Sequence, residues 1–575
     1  MNLFLDYQNK ISKSLKSLEK KRIIKVPNID KNFTVELPPK NNKAHISCNA
    51  AMILAKVNNT TPQELAKILK KHLLINFKEI KEIEIAGPGF LNIFFHEHFW
   101  KDCLKNIIKS NHKFGSNKIV KKKYNIEFVS ANPTGPLHVG HCRGAILGDT
   151  LSNLLVFNGN KVVKEYYVND YGNQITNFIK SVYFRILEIK ENKTFPNNEE
   201  LYQGDYIIDI AKKILKKNNI KDFVNFKKIS KKLTEESLKF CMSLIEKNLD
   251  LLGVKHNNFV YESQLINNNE VAKIIKKLQK RNYIYKGKLE APKGEKTKEW
   301  KERKQLLFKS SMFGDDIDRP LQKADGSWTY FAGDMAYHSN KISRKFDKLI
   351  NILGADHAGY TKRITAATKA ISNNKVELIC KVSQLVKLYK NGEPFKMSKR
   401  KGDYITVEDL INEVGKDPVR FMMLNRSSDV EIDFDFKKVT EKSKDNAIFY
   451  VQYAYARINS VFRLLKLDLE NIIKVDEKKF TFNQHEIEIL KKISEWPRCV
   501  EISSVKLEPH RIPFYLYELA TLFHSYWNLG KDNKEYRFIS DNKANNNLRL
   551  TLLQAVALVI KNGMNILGVA TPKSM

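Results

Sequence analysis

The stretch YNIEFVSANPTGPLHVGHCRGAILGDTLSNLLVFNGN, residues 124 to 160, decides the fold of the chain. Its first eight residues are rich in β-branched and aromatic side chains and predict a strand, which a Gly/Pro loop follows. Apolar residues at helical spacing then predict a helix that runs out to Gly159. The order strand, loop, helix is typical of the start of a parallel α/β sheet, and we predict such a sheet here.

Two histidines, His138 and His141, stand where this loop meets the helix, with Gly140 between them. They could bind a metal from one helical face, although Cys142 is the only further ligand nearby. They could also bond the free backbone groups of the first helical turn. A third possibility is phosphate binding, since a helix N-terminus favours anions and a glycine lets a flat ring approach the backbone. Taken alone, the pair leaves all three possibilities open.

A second stretch, FKMSKRKGDYITVEDLI, favours the phosphate interpretation. Its cations fall within six residues, between Pro394 and Gly402, and Thr406 and Asp409 are spaced to cap the next helix. A basic run is most often solvated surface or a nucleic-acid patch. A short cationic loop also suits the neutralisation of a leaving polyphosphate. The cations are Lys396, Lys399, Arg400 and Lys401.

The rest of the chain divides into segments of different character, as expected for roughly three to five domains. Residues 1–115 predict a small α+β domain, with a capping box at Thr61 to Glu64 and two strands joined through Gly87 to Gly89. Residues 116–400 predict the sheet domain, which includes a second strand at 349–355. Within the sheet domain we predict a largely helical insertion at about 180–310. The remaining segments are a junction at 401–439 and an all-α domain at 440–575.

The chain carries 99 basic and 64 acidic residues, a formal charge of +35. Such an excess attracts polyanions such as nucleic acid. The chain is also crowded with Lys, Asn and Ile, as AT-biased codon usage produces, so charge alone does not separate function from solvated surface. The six scattered cysteines predict ordinary thiols. Because the sequence shows no signal peptide and no long apolar run, we expect a soluble cytoplasmic protein that does not associate with a membrane.

HVGH and KMSKR resemble the two signatures of class I aminoacyl-tRNA synthetases. Longer motifs resemble the arginyl-tRNA synthetase family, in its order and over essentially the whole chain. They are EFVSANPTGPLHVGH, YYVNDYGNQ, FGDDIDRPL, SWTYFAGDMAYH, GADHAGY, DNAIFYVQYAYAR and the terminal LGVATP.

The resemblance implies a multidomain α/β protein with a Rossmann-type parallel-sheet catalytic domain. It also implies an N-terminal α+β domain that contacts the tRNA elbow and an all-α C-terminal domain that binds the anticodon. The implied activity is an arginine–tRNA ligase of two steps, in which ATP and arginine give arginyl-adenylate and the 3′-terminal adenosine of tRNA(Arg) then accepts arginine. We further expect tRNA to be required for adenylate formation, Mg²⁺ to accompany ATP, no structural metal, and a monomer.

Residue by residue, the resemblance assigns the catalytic roles to His138, His141, Lys396 and Lys399. The implied ATP-binding residues are Ala131, Asn132, Pro133, Thr134, Gly135, Pro136, Leu137, His138, Val139, Gly140, His141, Gly354, Asp356, Lys396, Met397, Ser398, Lys399 and Arg400. The implied arginine-binding residues are Glu127, Ser130, Asn132, Tyr330, Asp334 and His357.

The acids in this second set also make physical sense. A guanidinium has five donors and no acceptor, so its pocket needs carboxylates, and we choose Asp334 as its partner. A bidentate pair rejects lysine strongly enough that no editing domain is needed. In the last domain, four residues of one helix combine aromatic and amide groups that suit stacking on anticodon bases, and that equally suit a helical core. They are Tyr450, Gln452, Tyr453 and Tyr455.

Two other functions compete with the ligase. A catalytically idle tRNA-binding or partner-binding paralogue would be expected to have lost part of HVGH, KMSKR or the acidic residues, which are intact. A nucleotidyl transferase that works without tRNA gives no reason for the helical last domain or the basic excess.

Overall fold

The computed structural model describes residues 2–27, 32–39, 42–116, 121–220, 222–289, 303–390, 392–395, 405–471, 481–539 and 543–575. The chain packs as two compact units. One unit combines Met1–Ile119 with Lys442–Met575, and the other is Val120–Glu441.

The first unit begins with an antiparallel sheet of order β1-β2-β4-β3 and the helices that cover it. The strands are β1 (Val35–Glu36), β2 (Ile46–Cys48), β3 (Ile80–Ala86) and β4 (Phe90–Phe95), and the helices are α1 (Leu3–Lys20), α2 (Ala50–Ala55), α3 (Pro62–Asn76) and α4 (Glu97–Ser110). The predicted capping box opens α3, where Thr61 Oγ1 accepts from the Glu64 amide at 3.2 Å. The predicted turn at Gly87 to Gly89 joins β3 to β4.

The second unit contains a five-stranded parallel sheet of order β12-β11-β5-β6-β7 and two three-stranded sheets, β10-β9-β8 and β14-β13-β15. The strands are β5 (Lys123–Glu127), β6 (Lys161–Val168), β7 (Asn258–Tyr261), β8 (Ile284–Gly287), β9 (Gln305–Phe308), β10 (Arg319–Pro320), β11 (Lys348–Gly354), β12 (Glu377–Ser383), β13 (Val386–Lys390), β14 (Glu393–Phe395) and β15 (Ile432–Asp435). The helices are α5 (Val139–Phe157), α6 (Asn173–Glu191), α7 (Asp205–Lys217), α8 (Phe226–Leu251), α9 (Glu262–Asn267), α10 (Glu270–Gln279), α11 (Tyr330–Ser343), α12 (Thr361–Ser372), α13 (Val407–Val414), α14 (Lys416–Met423) and α15 (Phe436–Thr440).

The order of the parallel strands fixes where a ligand can bind. Strand β5 lies in the middle of the sheet, and the chain proceeds first to β6 on one side and later to β11 on the other. The reversal between β5 and β11 opens a crevice at the carboxyl ends of these strands, where α/β sheets bind their ligands. The predicted strand, loop and helix of residues 124–160 border this crevice, and the predicted parallel-sheet fold is confirmed.

The segment 180–310, for which a helical insertion is predicted, contributes to the sheet itself. Its strand β7 pairs with β6 in parallel, from Asn258 opposite Glu165 to Tyr261 opposite Val168. All four residues of β7 are half-buried, and the strand lies at the edge of the sheet within a charged stretch. Such a short edge strand gives little periodic signal in a sequence.

Helix α5 lies directly against the sheet. A Cβ on Gly148 would stand 2.2 Å from the ring of Phe128, so only a glycine allows this approach. At the next residue, the buried Asp149 carboxylate pairs with Arg420 of α14 at 2.5 Å and with Lys164 of β6 at 2.6 Å. A buried ion pair is stable only when its charges are mutually satisfied, as they are here.

The first unit is completed by the all-α C-terminal region that the sequence predicts. Its helices are α16 (Ala447–Leu464), α17 (Gln484–Ser494), α18 (Trp496–Lys506), α19 (Arg511–Asp532) and α20 (Lys543–Leu567). The segment Asn547–Leu567 has the length and hydropathy of a membrane span, but 83% of its most apolar window is buried inside the protein, which is typical of a core helix. All six cysteines are free thiols, and four of them are buried.

Candidate active site at the carboxyl ends of the parallel strands

The chain leaves β5 through a strained turn. Val129 and Ser130 both have positive φ, +70° and +40°, a conformation that is costly for a β-branched residue such as valine. The turn points Ser130 back at the strand end, where its hydroxyl donates to Glu127 Oε1 at 3.1 Å and accepts from the Tyr167 amide at 3.1 Å. Strain that is held in this way by hydrogen bonds commonly marks a functional site.

The backbone of the following loop is fixed by hydrogen bonds to side chains of other elements. Tyr166 donates to the Ala131 carbonyl, Tyr206 donates to the Thr134 carbonyl, and the Leu137 amide donates to Asn248 Oδ1, all between 2.8 and 2.9 Å. Asn132 donates to Gln174 from its side chain at 2.5 Å, and Gly135 leaves room for the Tyr206 ring. These contacts fix Ala131 to Leu137, with Pro133 and Pro136, in front of α5.

His138 and His141 form the start of α5 as a reciprocal cap. His138 Nδ1 accepts from the Gly140 amide at 3.1 Å, and His141 Nδ1 accepts from the His138 amide at 3.2 Å. The two ring centroids lie 4.0 Å apart. A neutral imidazole that accepts through Nδ1 carries its proton on Nε2, so Nε2 is the donor of each ring, and the Nε2 atom of His138 is buried. The structural and the phosphate-binding interpretations are therefore compatible.

The end of the predicted cationic loop is anchored beside these histidines. His138 and Thr406 form an antiparallel β-bridge, with the Val139 amide 3.1 Å from the Ile405 carbonyl. Thr406 also opens α13 through the predicted capping box with Asp409. The loop residues themselves lie outside the described residues. They are Lys396, Met397, Ser398, Lys399, Arg400 and Lys401.

On the neighbouring strand, β11 ends at Gly354 and continues into a short 3₁₀ turn, Ala355–Tyr360. A Cβ on Gly354 would stand 2.5 Å from Asp356 Oδ1, so the glycine leaves room for that carboxylate. The side chains of Asp356 and His357 are 79% and 62% exposed and lie 3.4 Å apart. They remain accessible to a ligand at the strand ends.

Asp334 lies on α11 and is half-buried. The Tyr360 hydroxyl donates a hydrogen bond to its Oδ2. Burial raises the pKa of Asp334 to about 7, and the charge of Glu127 adds to this effect. Tyr330, in the first turn of the same helix, is 66% exposed. Asp334 is therefore a carboxylate that a bound cation would stabilise in its charged form.

A further acid, Glu262, was missed in the sequence. It begins α9, is 8% exposed, and has a pKa raised to about 7 by burial and then by the charges of Asp334 and Asp170. Asp170, from the YYVNDYGNQ motif, accepts from the Ser263 amide and hydroxyl at 2.8 and 2.6 Å and so fixes the start of α9. Only tertiary structure brings Glu262 to Asp334, since its helix is six residues long and carries no motif.

Glu127 is held by a buried lysine that lies in none of the sequence motifs. Lys341 Nζ lies 2.5 Å from Glu127 Oε2 and 2.9 Å from Asn351 Oδ1, and its side chain is fully buried. Since Ser130 donates to the other oxygen, both carboxylate oxygens of Glu127 already have protein partners. A substrate ammonium group would share these oxygens through their remaining lone pairs.

One further motif of the sequence has a structural role. In FGDDIDRPL, Asp315 forms a bidentate pair with Arg319 at 2.7 and 2.8 Å and accepts from the Ser310 hydroxyl. Asp316 pairs with Lys362 of α12 at 2.8 Å. The motif thus fixes a turn against α12.

In the C-terminal region, one of the four predicted tRNA contacts needs correction. Tyr455 is only 4% exposed and belongs to the core, because its helical position faces inward. Tyr450 and Tyr453 are half-buried and pack their rings against His524, with centroids 4.3 and 5.6 Å away. Gln452 donates to the Ala570 carbonyl at 3.0 Å.

Within the residues that the structure describes, no group of three His, Cys, Asp or Glu side chains is arranged to hold a metal.

Comparisons with known proteins agree along the whole chain. Three family models match: arginyl tRNA synthetase N terminal domain at residues 6–95, tRNA synthetases class I (R), catalytic domain at 103–463, and DALR anticodon binding domain at 451–575. An arginine–tRNA ligase of Pelagibacter ubique is 56% identical, and one of Bartonella henselae is 44% identical, each over 100% of both chains. The solved structure of Thermus thermophilus arginyl-tRNA synthetase shares the fold, with a TM-score of 0.73 and 17% identity over 100% of both chains.

Proposed function

Because this chain belongs to the arginyl-tRNA synthetase family and is an arginine–tRNA ligase, we propose that the histidines at the start of α5 bind the phosphates of ATP and that the acids around Asp334 bind the guanidinium of arginine. The enzyme joins arginine to ATP as arginyl-adenylate, releases pyrophosphate, and transfers arginyl to the 3′-terminal adenosine of tRNA(Arg). The observation that supports the assignment is the position of both imidazole donors at a helix N-terminus in the switch-point crevice.

The ATP site extends over the two neighbouring strand ends. The loop from Ala131 to His141 supplies backbone groups and the two imidazoles, which favour negative charge together with the helix N-terminus. Gly354 at the end of β11 and Asp356 in the turn that follows it hold the nucleoside side. Lys396 to Arg400 bind the pyrophosphate as it leaves, and Ile405 and Thr406, which follow this loop in the sequence, pair with the start of α5.

The arginine site uses different groups for the two ends of the substrate. Asp334 and Glu262 pair with the guanidinium, and Tyr330 forms the exposed wall of this pocket. Glu127, Ser130 and Asn132, at the end of β5, take the α-amino end, with His357 beside them. A planar fork between carboxylates gains charge-assisted hydrogen bonds that lysine cannot reproduce.

The chemistry then needs no protein nucleophile. The carboxylate of arginine attacks the α-phosphate of ATP in line, and the residues of the site position both reactants and stabilise the charge that passes to pyrophosphate. Mg²⁺ enters as part of the ATP substrate. The Nε2–H groups of His138 and His141 donate to the phosphate oxygens throughout the step.

The other parts of the chain serve the tRNA. Residues 1–115 contact its elbow, and residues 440–575 bind the anticodon, with Tyr450, Gln452 and Tyr453 available near the surface. Residues 116–400 carry out catalysis, the junction 401–439 follows the cationic loop, and the segment 180–310 connects the halves of the sheet. The enzyme acts as a monomer in the cytoplasm.

Exchange of pyrophosphate into ATP, measured with each amino acid in the presence and absence of tRNA(Arg), tests the assignment. We expect exchange with arginine alone, and markedly more of it with tRNA(Arg) present. Equal exchange with lysine would contradict the acidic pocket. Full exchange by a variant that carries alanine at both His138 and His141 would contradict the phosphate site.

A further inference from the structure

Tyr360 connects two parts of the site that are separate in the sequence. It is the last residue of the turn Ala355–Tyr360, whose first residues present Asp356 and His357 at the end of β11. Its hydroxyl donates to Oδ2 of Asp334 on α11. The segment on the nucleotide side and the carboxylate of the guanidinium pocket are therefore joined through a single phenol.

The ring of Tyr360 is held on several sides. It meets Phe331 edge-on with centroids 6.5 Å apart, and the Arg363 guanidinium carbon lies 5.0 Å from its centroid. The ring also packs against the hydrophobic core of this unit. A phenol fixed in this way cannot follow Asp334 if the carboxylate turns, so the hydrogen bond selects one orientation of the carboxylate.

The charges around Asp334 show why this orientation needs a donor. Glu127 on β5 and Glu262 on α9 repel its ionised form, whereas Lys341 on α11 and Arg363 on α12 stabilise it. Tyr167 on β6 is a further ionisable neighbour. The Tyr360 hydroxyl favours the ionised carboxylate, because a hydrogen bond donated to a charged group stabilises that charge.

We propose that Tyr360 is a positioning residue for arginine: it fixes the Asp334 carboxylate with Oδ1 directed to the guanidinium. The inference rests on the proposed role of Asp334.

The test replaces the phenol by a ring of the same shape. Tyr360→Phe should raise the KM for arginine in tRNA-dependent pyrophosphate exchange by about 10- to 100-fold, the usual effect of losing a hydrogen bond to a charged group. The KM for ATP at saturating arginine should stay within about twofold, since no hydrogen bond to the nucleotide is removed. The rise in arginine KM toward acid should begin at higher pH, because Asp334 loses a donor that favours its ionised form.

Tyr285→Phe is a matched control. Tyr285 also donates its hydroxyl to a carboxylate, Asp318 Oδ2 at 2.9 Å, but on β8. It should leave both KM values and the pH profile unchanged. In an Asp334→Asn background, Tyr360→Phe should add no further loss of arginine affinity, since the partner through which it acts has been altered.

The outcomes separate the two proposals. If Asp334→Asn impairs arginine binding while Tyr360→Phe leaves the arginine KM and its pH profile intact, the inference about Tyr360 is wrong and the pocket assignment stands. If Tyr360→Phe raises both KM values equally and lowers the melting temperature, its role is general packing and the inference is again wrong. If Asp334→Asn has no effect on arginine, the pocket assignment fails, and the inference with it.

Discussion

His138 and Thr406 are paired across an antiparallel β-bridge, so the start of α5 and the end of the cationic loop share backbone hydrogen bonds. The Val139 amide donates to the Ile405 carbonyl at 3.1 Å, and the Val407 amide donates to the Leu137 carbonyl at 3.0 Å. The proposed phosphate site and the end of the cationic loop are therefore held in place by the same backbone hydrogen bonds.

Thr406→Ala should weaken this support. Loss of the capping box should lower the free energy of unfolding by about 1 kcal/mol. The rate of pyrophosphate exchange should also fall, because the end of the loop keeps its backbone hydrogen bonds but loses the cap that orders Thr406. Thr61→Ala removes an equivalent capping box from α3 and serves as the control, with the same loss of stability in urea titration but unchanged exchange. Equal exchange rates in both variants would show that the cap has no part in catalysis.

Arginine binding should depend on pH through Asp334. Its pKa of about 7 lies above the ordinary value, so the carboxyl is largely protonated in mild acid. The guanidinium prefers the carboxylate, and the KM for arginine should therefore fall as pH rises through about 7. The KM for ATP measured over the same range is the internal comparison. An arginine KM that stays constant between about pH 6 and pH 8 would contradict the assignment.

His138→Asn separates the two roles of this histidine. Asparagine is among the best N-cap residues, so its side-chain oxygen should replace Nδ1 and preserve the start of α5. The Nε2–H donor is lost, and kcat for adenylate formation should fall by about a hundredfold, as expected for one donor that stabilises transition-state charge. Thermal unfolding should be nearly unchanged. A variant with wild-type kcat would leave capping as the only role of His138.

Glu262→Gln should impair arginine recognition without harming the fold. The amide keeps the shape of the side chain but removes a charge from the guanidinium pocket, so the arginine KM should rise by about tenfold. Stability should be retained, because burial and the charges of Asp334 and Asp170 oppose an ionised Glu262 in the empty pocket. Glu270→Gln, at the half-buried start of α10, makes the same change of charge outside the pocket; it is the matched control and should behave as wild type. A wild-type arginine KM in Glu262→Gln would remove this residue from the pocket.

Two glycines of α5 should respond in opposite directions to alanine. At Gly148 the new methyl would meet the Phe128 ring, and overpacking of this kind costs about 1–3 kcal/mol. At Gly144 nothing lies within 4 Å, and alanine should stabilise the helix by about 0.5–1 kcal/mol. Urea unfolding of both variants measures the difference. Equal effects would mean that α5 does not pack against the sheet as closely as described.

The parts of the fold that local sequence controls could be predicted. Turn residues joined β3 to β4, capping boxes began α3 and α13, and a strand followed by a Gly/Pro loop predicted β5 and α5. The site residues that could not be predicted are those whose neighbours in the structure are distant in the sequence. Glu262 and Lys341 look like ordinary surface charges in the sequence, and only the packing of α9 and α11 against the sheet brings them to Asp334 and Glu127.

Tyr455 shows the opposite error, because it was predicted as a binding residue and lies in the core. Aromatic residues at successive positions of one helix are equally compatible with a core and with a binding face, and only the helices packed around α16 decide which side chains are buried. Periodicity identifies a helix but does not by itself identify which partner covers each face.

The first unit is built from the two ends of the chain, and this has a consequence for synthesis. Trp496 donates to the Phe114 carbonyl at 3.0 Å, Arg498 donates to the Val35 carbonyl at 2.9 Å, and Asn2 donates to Glu501 at 2.8 Å. A ribosome releases the N-terminal segment hundreds of residues before these partners exist, whereas residues 121–441 emerge as a continuous block. Nascent chains should therefore fold the nucleotide-binding sheet first. The N-terminal segment should complete its packing only after the C-terminal helices have been synthesised.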